Sequence, residues 1–396
     1  MKLRSQAFSI FSFLLLICCL ITMVACNGNE ENSEIKIGSF NAEIVDSLVI
    51  DRLSVLELLD YQSSTGDLLF ADTQSGDYLV MDKAGEVLSS FNPHIEGPNY
   101  MGNSSYGWSF YGKDELVAYG HAYFYRYSKL GERLGQYEPP IEADGGIILD
   151  FKPQRIKAFE TQRGTEVLAM ILDLSNRNSK TQQFQDSIDD VFRMNFETGE
   201  TTTVMHKEPD NIYPTAGEYT DWGYPSFTLL SGSTFAFTHQ SDNHLYIFDA
   251  EKNEYINKIA IPAEFLPEYK AVEFGSKDDP ELLKINSHVF SVGNKILLLS
   301  MGKIPNAVMK ELQQLPRWWY SPEFEAATRK YMTTDFLLFD QKQFLGKVDW
   351  DINLNEPMPK GTVNDFLWLK RTYKEERDYQ TFLKVKIVED SNSEKP

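Results

Sequence analysis

One motif recurs along the chain. A run of alternating apolar residues ends in Asp, Ser or Asn, a short turn follows, often with Gly, and a second alternating run begins. Copies lie at 79–88 (LVMDKAGEVL), 124–132 (FYRYSKLGE), 192–200 (FRMNFETGE), 245–254 (LYIFDAEKNE) and 336–344 (FLLFDQKQF). Period-two alternation marks a half-buried strand. Asx and Ser side chains bond forward into tight turns, and Gly or Asn supplies positive φ, so each copy predicts a hairpin. Another apolar run precedes each copy, at 68–71, 116–119, 167–172, 235–238 and 296–300. The repeating unit is strand–strand–turn–strand. A final unit, 365–373 and 379–388, has two strands, and the alternating segment 35–50 can supply the missing partner.

This pattern predicts an all-β fold: a six-bladed β-propeller over residues 35–390, with N-/C-terminal strand closure. About 350 residues at roughly 45–60 per blade suit six blades. Closure removes exposed strand edges. A single compact core rarely exceeds about 250–300 residues, whereas a blade packs only on its neighbours. Two packed β domains are the other arrangement, and the lack of a Pro/Ser-rich linker favours one domain. In a four-stranded blade a–b–c–d, the b–c and d–a connections share one face and the tight c–d turns the other.

The b–c connections vary in length, and the one at 302–331 is too long for a plain loop. It predicts a short helical insertion, about 303–331. Val308, Leu312 and Leu315 fall at helical spacing, Pro316 stops that helix, and Ser321-Pro322-Glu323 starts another. Phe324, Ala327 and Tyr331 give the second helix an apolar face. Between the helices lies Arg317-Trp318-Trp319-Tyr320, the densest aromatic cluster of the chain. Two readings stand: Trp318, Trp319 and Tyr320 form a ligand or partner platform, or they pin the insertion onto the propeller.

The N-terminus reads as a lipoprotein signal peptide, residues 1–25. Lys2 and Arg4 are a basic start, residues 7–25 carry no charge, and Met23-Val24-Ala25-Cys26 resembles a bacterial lipobox. Cys26 is then the lipidation site, and the polar stretch 26–34 a flexible tether. A transmembrane anchor is the alternative, since the uncharged run is near the lower limit for a span. Cys18 and Cys19 leave with the signal, so the mature chain has Cys26 alone, no internal disulfide and no cysteine-type zinc site. Residues 391–396 read as a disordered tail.

Charge narrows the partners. The chain carries 38 Lys+Arg and 58 Asp+Glu, a net −20, which becomes −22 once the positive Lys2 and Arg4 are removed. Such a chain is a poor match for nucleic acid or for an anionic bilayer met through a polybasic face. The expected partners are the membrane, through the N-terminal lipid anchor, and envelope proteins or glycans.

Together, the lipobox, the acidic Glu30-Glu31 pair and the blade pattern resemble the six-bladed propeller lipoproteins of Bacteroidetes, including an uncharacterised domain-of-unknown-function family. Asp46-Ser47-Leu48 and Asp186-Ser187-Ile188 resemble the short O-glycosylation motif of the same bacteria. The resemblance implies a cell-envelope location, lipid-anchored at the outer membrane, and supplies no catalytic residues.

His94, His121, His206, His239 and His244 fall in or beside connections assigned to the b–c face, as do Asp72, Asp77, Asp173 and Asp242. Converging imidazoles and carboxylates could bind a ligand. They could equally be plain strand-end residues, and His288, inside an alternating run, reads as structural. No Gly-x-Ser-x-Gly elbow, His-Glu-x-x-His helix, phosphate-binding loop or dinucleotide turn is present. No metal site and no cofactor are expected. The favoured function is a non-enzymatic binding or scaffolding lipoprotein. The alternative is an extracytoplasmic hydrolase or lyase acting on glycan or peptide through the His/Asp-lined face. The candidate site residues are Trp318, Trp319, Tyr320, His121, His239, His244, Asp72 and Asp173, with lipidation at Cys26.

Overall fold

The structure, a computed structural model, describes residues 38–120, 123–140, 155–171, 191–206, 218–220, 225–352, 359–373, 375 and 377–390. The signal segment, Cys26, the tether, His121, Asp173, the 186–188 motif and the 391–396 tail lie outside the described residues.

The chain is mostly β. Four sheets are four-stranded antiparallel meanders, each in chain order. The first runs Leu56–Tyr61, Leu68–Asp72, Tyr78–Met81 and Val87–Phe91; the second Ser105–Tyr111, Glu115–Gly120, Phe124–Ser128 and Arg133–Tyr137. The third runs Ile156–Thr161, Gly164–Met170, Val191–Met194 and Thr201–Val204; the fourth Pro225–Ser231, Thr234–His239, His244–Asp249 and Glu254–Ala260. A nine-stranded sheet holds two more such sets. One is Glu281–Val292, Lys295–Gly302, Thr334–Phe339 and Phe344–Asp349; the other is Gly361–Val363, Phe366–Lys370, Gln380–Glu389 and the N-terminal strand Phe40–Ile50.

That N-terminal strand pairs antiparallel with Gln380–Glu389, from Phe40↔Glu389 to Ile50↔Gln380, with a bulge between Ile44 and Asp46. Chain start and chain end therefore share one set of strands. Only two parallel pairs, Phe40↔Val348 and Asn41↔Asp349, join it to the neighbouring set.

Each set has one strand more than the sequence motif, placed ahead of the three it marks. These leading strands mix apolar and polar residues because polar groups on them bond to one another. Asp60 on the first sheet accepts from Ser109 Oγ and Phe110 N on the second at 2.6 and 2.9 Å. Lys157 on the third reaches the other Asp60 oxygen at 2.5 Å. A buried carboxylate is tolerable only when paired and hydrogen-bonded like this.

The core is distributed between sheets. Leu69 and Val80 of the first sheet pack with Trp108 and Tyr127 of the second. Val117 and Phe124 of the second meet Val167 and Phe192 of the third, and Leu168 of the third meets Phe235 and Tyr246 of the fourth. Leu245 and Ile247 meet Leu298 and Leu337 of the next set, whose Leu297 and Leu338 meet Leu367 and Val385 of the last. Leu48, Ile50, Trp368 and Phe382 of the last set then pack with Leu58, Leu68 and Phe70 of the first sheet.

Turn chemistry follows the sequence motif. Asp82 Oδ1 accepts from Ala84 N and Glu86 N, and Ser128 Oγ from Leu130 N and Glu132 N. Asn195, Asp249 and Asp340 each accept two turn amides in the same way. Gly131 has φ +85°, and a Cβ there would run into the Phe91 ring, so two constraints require glycine.

Candidate functional site

The helical insertion sits between two strands of the fifth set. Helix α1 spans Asn306–Leu312, a 3₁₀ turn Trp318–Tyr320, and helix α2 Pro322–Tyr331. Ser321 caps α2 as expected: its Oγ accepts from Phe324 N at 3.1 Å, with proline opening the helix. Helix α1 stops before Leu315, whose N–H bonds Leu312 O in a following turn. Ile304, Leu312 and Ala327 form a small core, with Val308, Leu315, Phe324 and Tyr331 partly buried against it. At the neck, Gly302 N donates to Thr333 O at 2.9 Å, and a Cβ on Gly302 would strike Tyr331 O.

Of the three adjacent rings, Trp318 is the one that turns inward, edge-on to Phe324 with centroids 5.1 Å apart. Trp319 is 54% exposed and Tyr320 81% exposed. Arg317, at φ 50° and ψ 43°, adopts the left-handed conformation that non-glycine residues avoid, and it sets up the turn displaying these rings. Trp319 meets Trp318 edge-on at 5.6 Å and Tyr320 at 6.0 Å, but neither Trp319 nor Tyr320 belongs to the small core of the insertion. Residues 303–332 carry five basic and three acidic side chains, a net +2 within a chain of −20.

The His and Asp candidates are deployed differently. Asp72 is buried, and its Oδ1 accepts from Gln74 N and Ser75 N while Oδ2 meets Arg52 at 3.4 Å. Burial pushes its carboxyl up, but these amides, the Ser75 hydroxyl and Arg52 outweigh that and hold it below the usual value. His239 and His244 bracket one turn around Asp242. His244 N and Tyr246 OH donate to Asp242 Oδ1 at 3.0 and 3.3 Å. His239 is 2% and Asp242 1% exposed. Asn286, from the next set, donates to Asp242 O at 2.7 Å and His239 O at 3.1 Å. No local sequence signal marked Asn286, which sits 44 residues away.

His94 bonds Gly102 O at 2.6 Å, and His206 contributes its carbonyl to Tyr255 OH. His288 bonds Ser287 Oγ at 2.6 Å and stacks on Phe290. Among the described residues no three His, Cys, Asp or Glu side chains are grouped to hold a metal ion. Nor is any described helix long and apolar enough to cross a membrane.

No family model matches the sequence, and no curated protein matches it. Solved structures do. A member of the DUF4221 family from Bacteroides vulgatus aligns at TM-score 0.59 and 12% identity, over 89% of this chain and 100% of its own. A protein from Bacteroides fragilis described as exported gives 0.44 at 12% identity, over 91% and 97%. The WD40 repeats of RRP9 give 0.42 at 10% identity, over 83% and 79%. The first likeness establishes a shared fold; identity this low establishes nothing about activity.

Proposed function

We propose that this chain is a lipid-anchored, six-bladed β-propeller of the cell envelope that binds or scaffolds a partner without catalysis. The chain of inter-sheet cores, returning from the last set to the first, supports a closed ring of six blades. One observation carries the binding assignment: Trp319 and Tyr320 stand exposed on a self-packed insertion in a b–c connection. Trp, Tyr and Arg are the residues that dominate interface energetics, and loops on a rigid scaffold are where recognition concentrates.

The strand ends support an orientation. Gly38 N donates to Leu345 O, beside the tight turn 340–343. Phe40 pairs with Glu389, at the end of that strand remote from the 371–379 connection. Gly38, the first described residue, thus lies on the tight-turn side, opposite the insertion. Of the His/Asp face that the hydrolase alternative invokes, His239, Asp72 and Asp242 are buried.

Trp319→Ala tests the assignment. The variant should keep its melting temperature, because the ring is half in solvent, and should lose about 2 kcal/mol or more of partner affinity. A loss of about 3–5 kcal/mol in folding stability would instead mark a packing residue. Loss of lipid label in Cys26→Ser tests the anchor.

A further inference from the structure

The strands Phe40–Ile50 and Phe344–Asp349 pair only through Phe40 and Asn41. From Ala42 onward the first strand keeps Gln380–Glu389 along one edge, and among the described residues no strand pairs with its other edge. A cleft of about 700 Å³ opens where the two strands part. Residues between Ala42 and Ser47 line it, with Asp351 and Ile352 just past the second strand, and Arg371 and Leu383. Its volume is that of a small-ligand cleft. Buried Ile352 and Leu383 bring the core between the last two sets to the cleft. A bulge between Ile44 and Asp46 leaves Val45 with no residue opposite, and Ile44 and Val45 stand about half exposed. Bulges re-aim side chains and recur beside functional sites.

Three charged residues line the cleft. Asp46 is countered by Lys384 Nζ at 2.7 Å. Arg371 and Asp351 make no ion pair among the described residues. Arg371 is nevertheless held in place. Its backbone N donates to Thr381 O at 2.9 Å, and its guanidinium lies 5.3 Å from the centroid of the Tyr373 ring. Tyr373 OH in turn donates to Thr381 Oγ1 at 2.9 Å, and Thr381 is buried. A guanidinium stacked on a fixed ring keeps its fork of donors available for a carboxylate. The cleft thus joins one unpaired charge of each sign, apolar side chains and a free strand edge. A single-tailed fatty acid would answer Arg371 but leave the strand edge and Asp351 unanswered.

We propose that this cleft binds a short apolar peptide with free ends. The peptide backbone adds to the open edge at 42–47, as strands add to sheet edges elsewhere. Its terminal carboxylate meets Arg371 and its terminal ammonium meets Asp351. Its side chains cover Ile44, Val45 and Leu383. The bulge and the exposed Asp46 blunt this edge against a whole second sheet, so a short segment suits it better than another folded domain. The proposal is independent of the Trp319 platform, and either can fail alone.

The test uses the purified protein with trileucine as the probe. Calorimetric titration should show one equivalent bound, and the melting temperature should rise saturably with the peptide. Amidating the peptide's C-terminus, or acetylating its N-terminus, should each weaken binding by at least about tenfold, the loss of one charge-assisted contact. Arg371→Gln should weaken the free acid by a similar factor and then bind acid and amide equally. That coupling is one a merely structural arginine would not show. Trp319→Ala should bind trileucine as the wild type does. If Arg371→Gln does not fold, the modified peptides on the wild type carry the test. The proposal is overturned if trileucine does not bind saturably, or if the amide or the acetylated peptide binds as tightly as the free one. It is also overturned if Arg371→Gln still discriminates acid from amide as the wild type does. Saturable binding of dodecanoate without binding of trileucine overturns it as well and assigns the cleft to a lipid.

Discussion

Replacing Phe382 by alanine probes the junction between chain end and chain start. Phe382 is fully buried, with its ring centroid 5.1 Å from Phe70 of the first sheet and 6.1 Å from Trp368. Removing a buried Phe side chain costs about 3–5 kcal/mol in lost transfer energy and residual cavity. That is a large share of the roughly 5–15 kcal/mol that holds a native domain together. Phe235 is the control. It is equally buried, between the third and fourth sheets, at a junction that no chain terminus closes. If the last set packs on the first as tightly as the others pack on each other, the two alanine variants lose similar stability. Guanidinium unfolding, followed by circular dichroism and by fluorescence, reads this as a lower midpoint at unchanged slope. Coincidence of the two probes validates the comparison. A Phe382→Ala loss below about 1 kcal/mol, beside a full Phe235→Ala loss, would refute the junction, because only a solvent-facing ring is that cheap to delete.

Two further outcomes follow from local geometry. Gly131→Ala should cost clearly more than Gly199→Ala: both have positive φ, worth about 1–2 kcal/mol, but only Gly131 adds overpacking against Phe91, about 1–3 kcal/mol more. Equal losses in thermal unfolding would exclude the Phe91 contact. Asp72 and Asp249 have folded-state values held below the ordinary 3.8; for Asp249, burial is outweighed by Lys252 and Ser233. Their contribution is therefore present above pH 3.8 and lost as pH falls through the folded values. Acid titration of stability should steepen below that point, and less so in Asp72→Asn.

The features legible in the sequence are those whose chemistry is local. Asp82, Ser128, Asn195, Asp249 and Asp340 each satisfy amides within a few residues, so the turns they make are written in adjacent positions. The same holds for Ser321 and Pro322 at the start of α2. The leading strand of each set was obscured because its polar residues find partners far along the chain, as Asp60 does with Lys157, 97 residues away. Asn286 stayed hidden for the same reason. Sequence placed Trp318, Trp319 and Tyr320 together but could not say which ring faces out; that depends on a left-handed backbone at Arg317, which no propensity marks, and on the packing of Trp318 against Phe324 six residues on.

The central claim is that recognition uses the insertion face and not the tight turns. Site-specific photo-crosslinking in intact cells tests it most directly, with the probe placed at position 319 or 320 on one face and at 84 or 198 in the tight turns. The account predicts discrete adducts from 319 and 320, competed by excess purified wild-type protein but not by the Trp319→Ala variant, and background labelling from 84 and 198. Adducts confined to 84 and 198, or equal at all four positions, would contradict it.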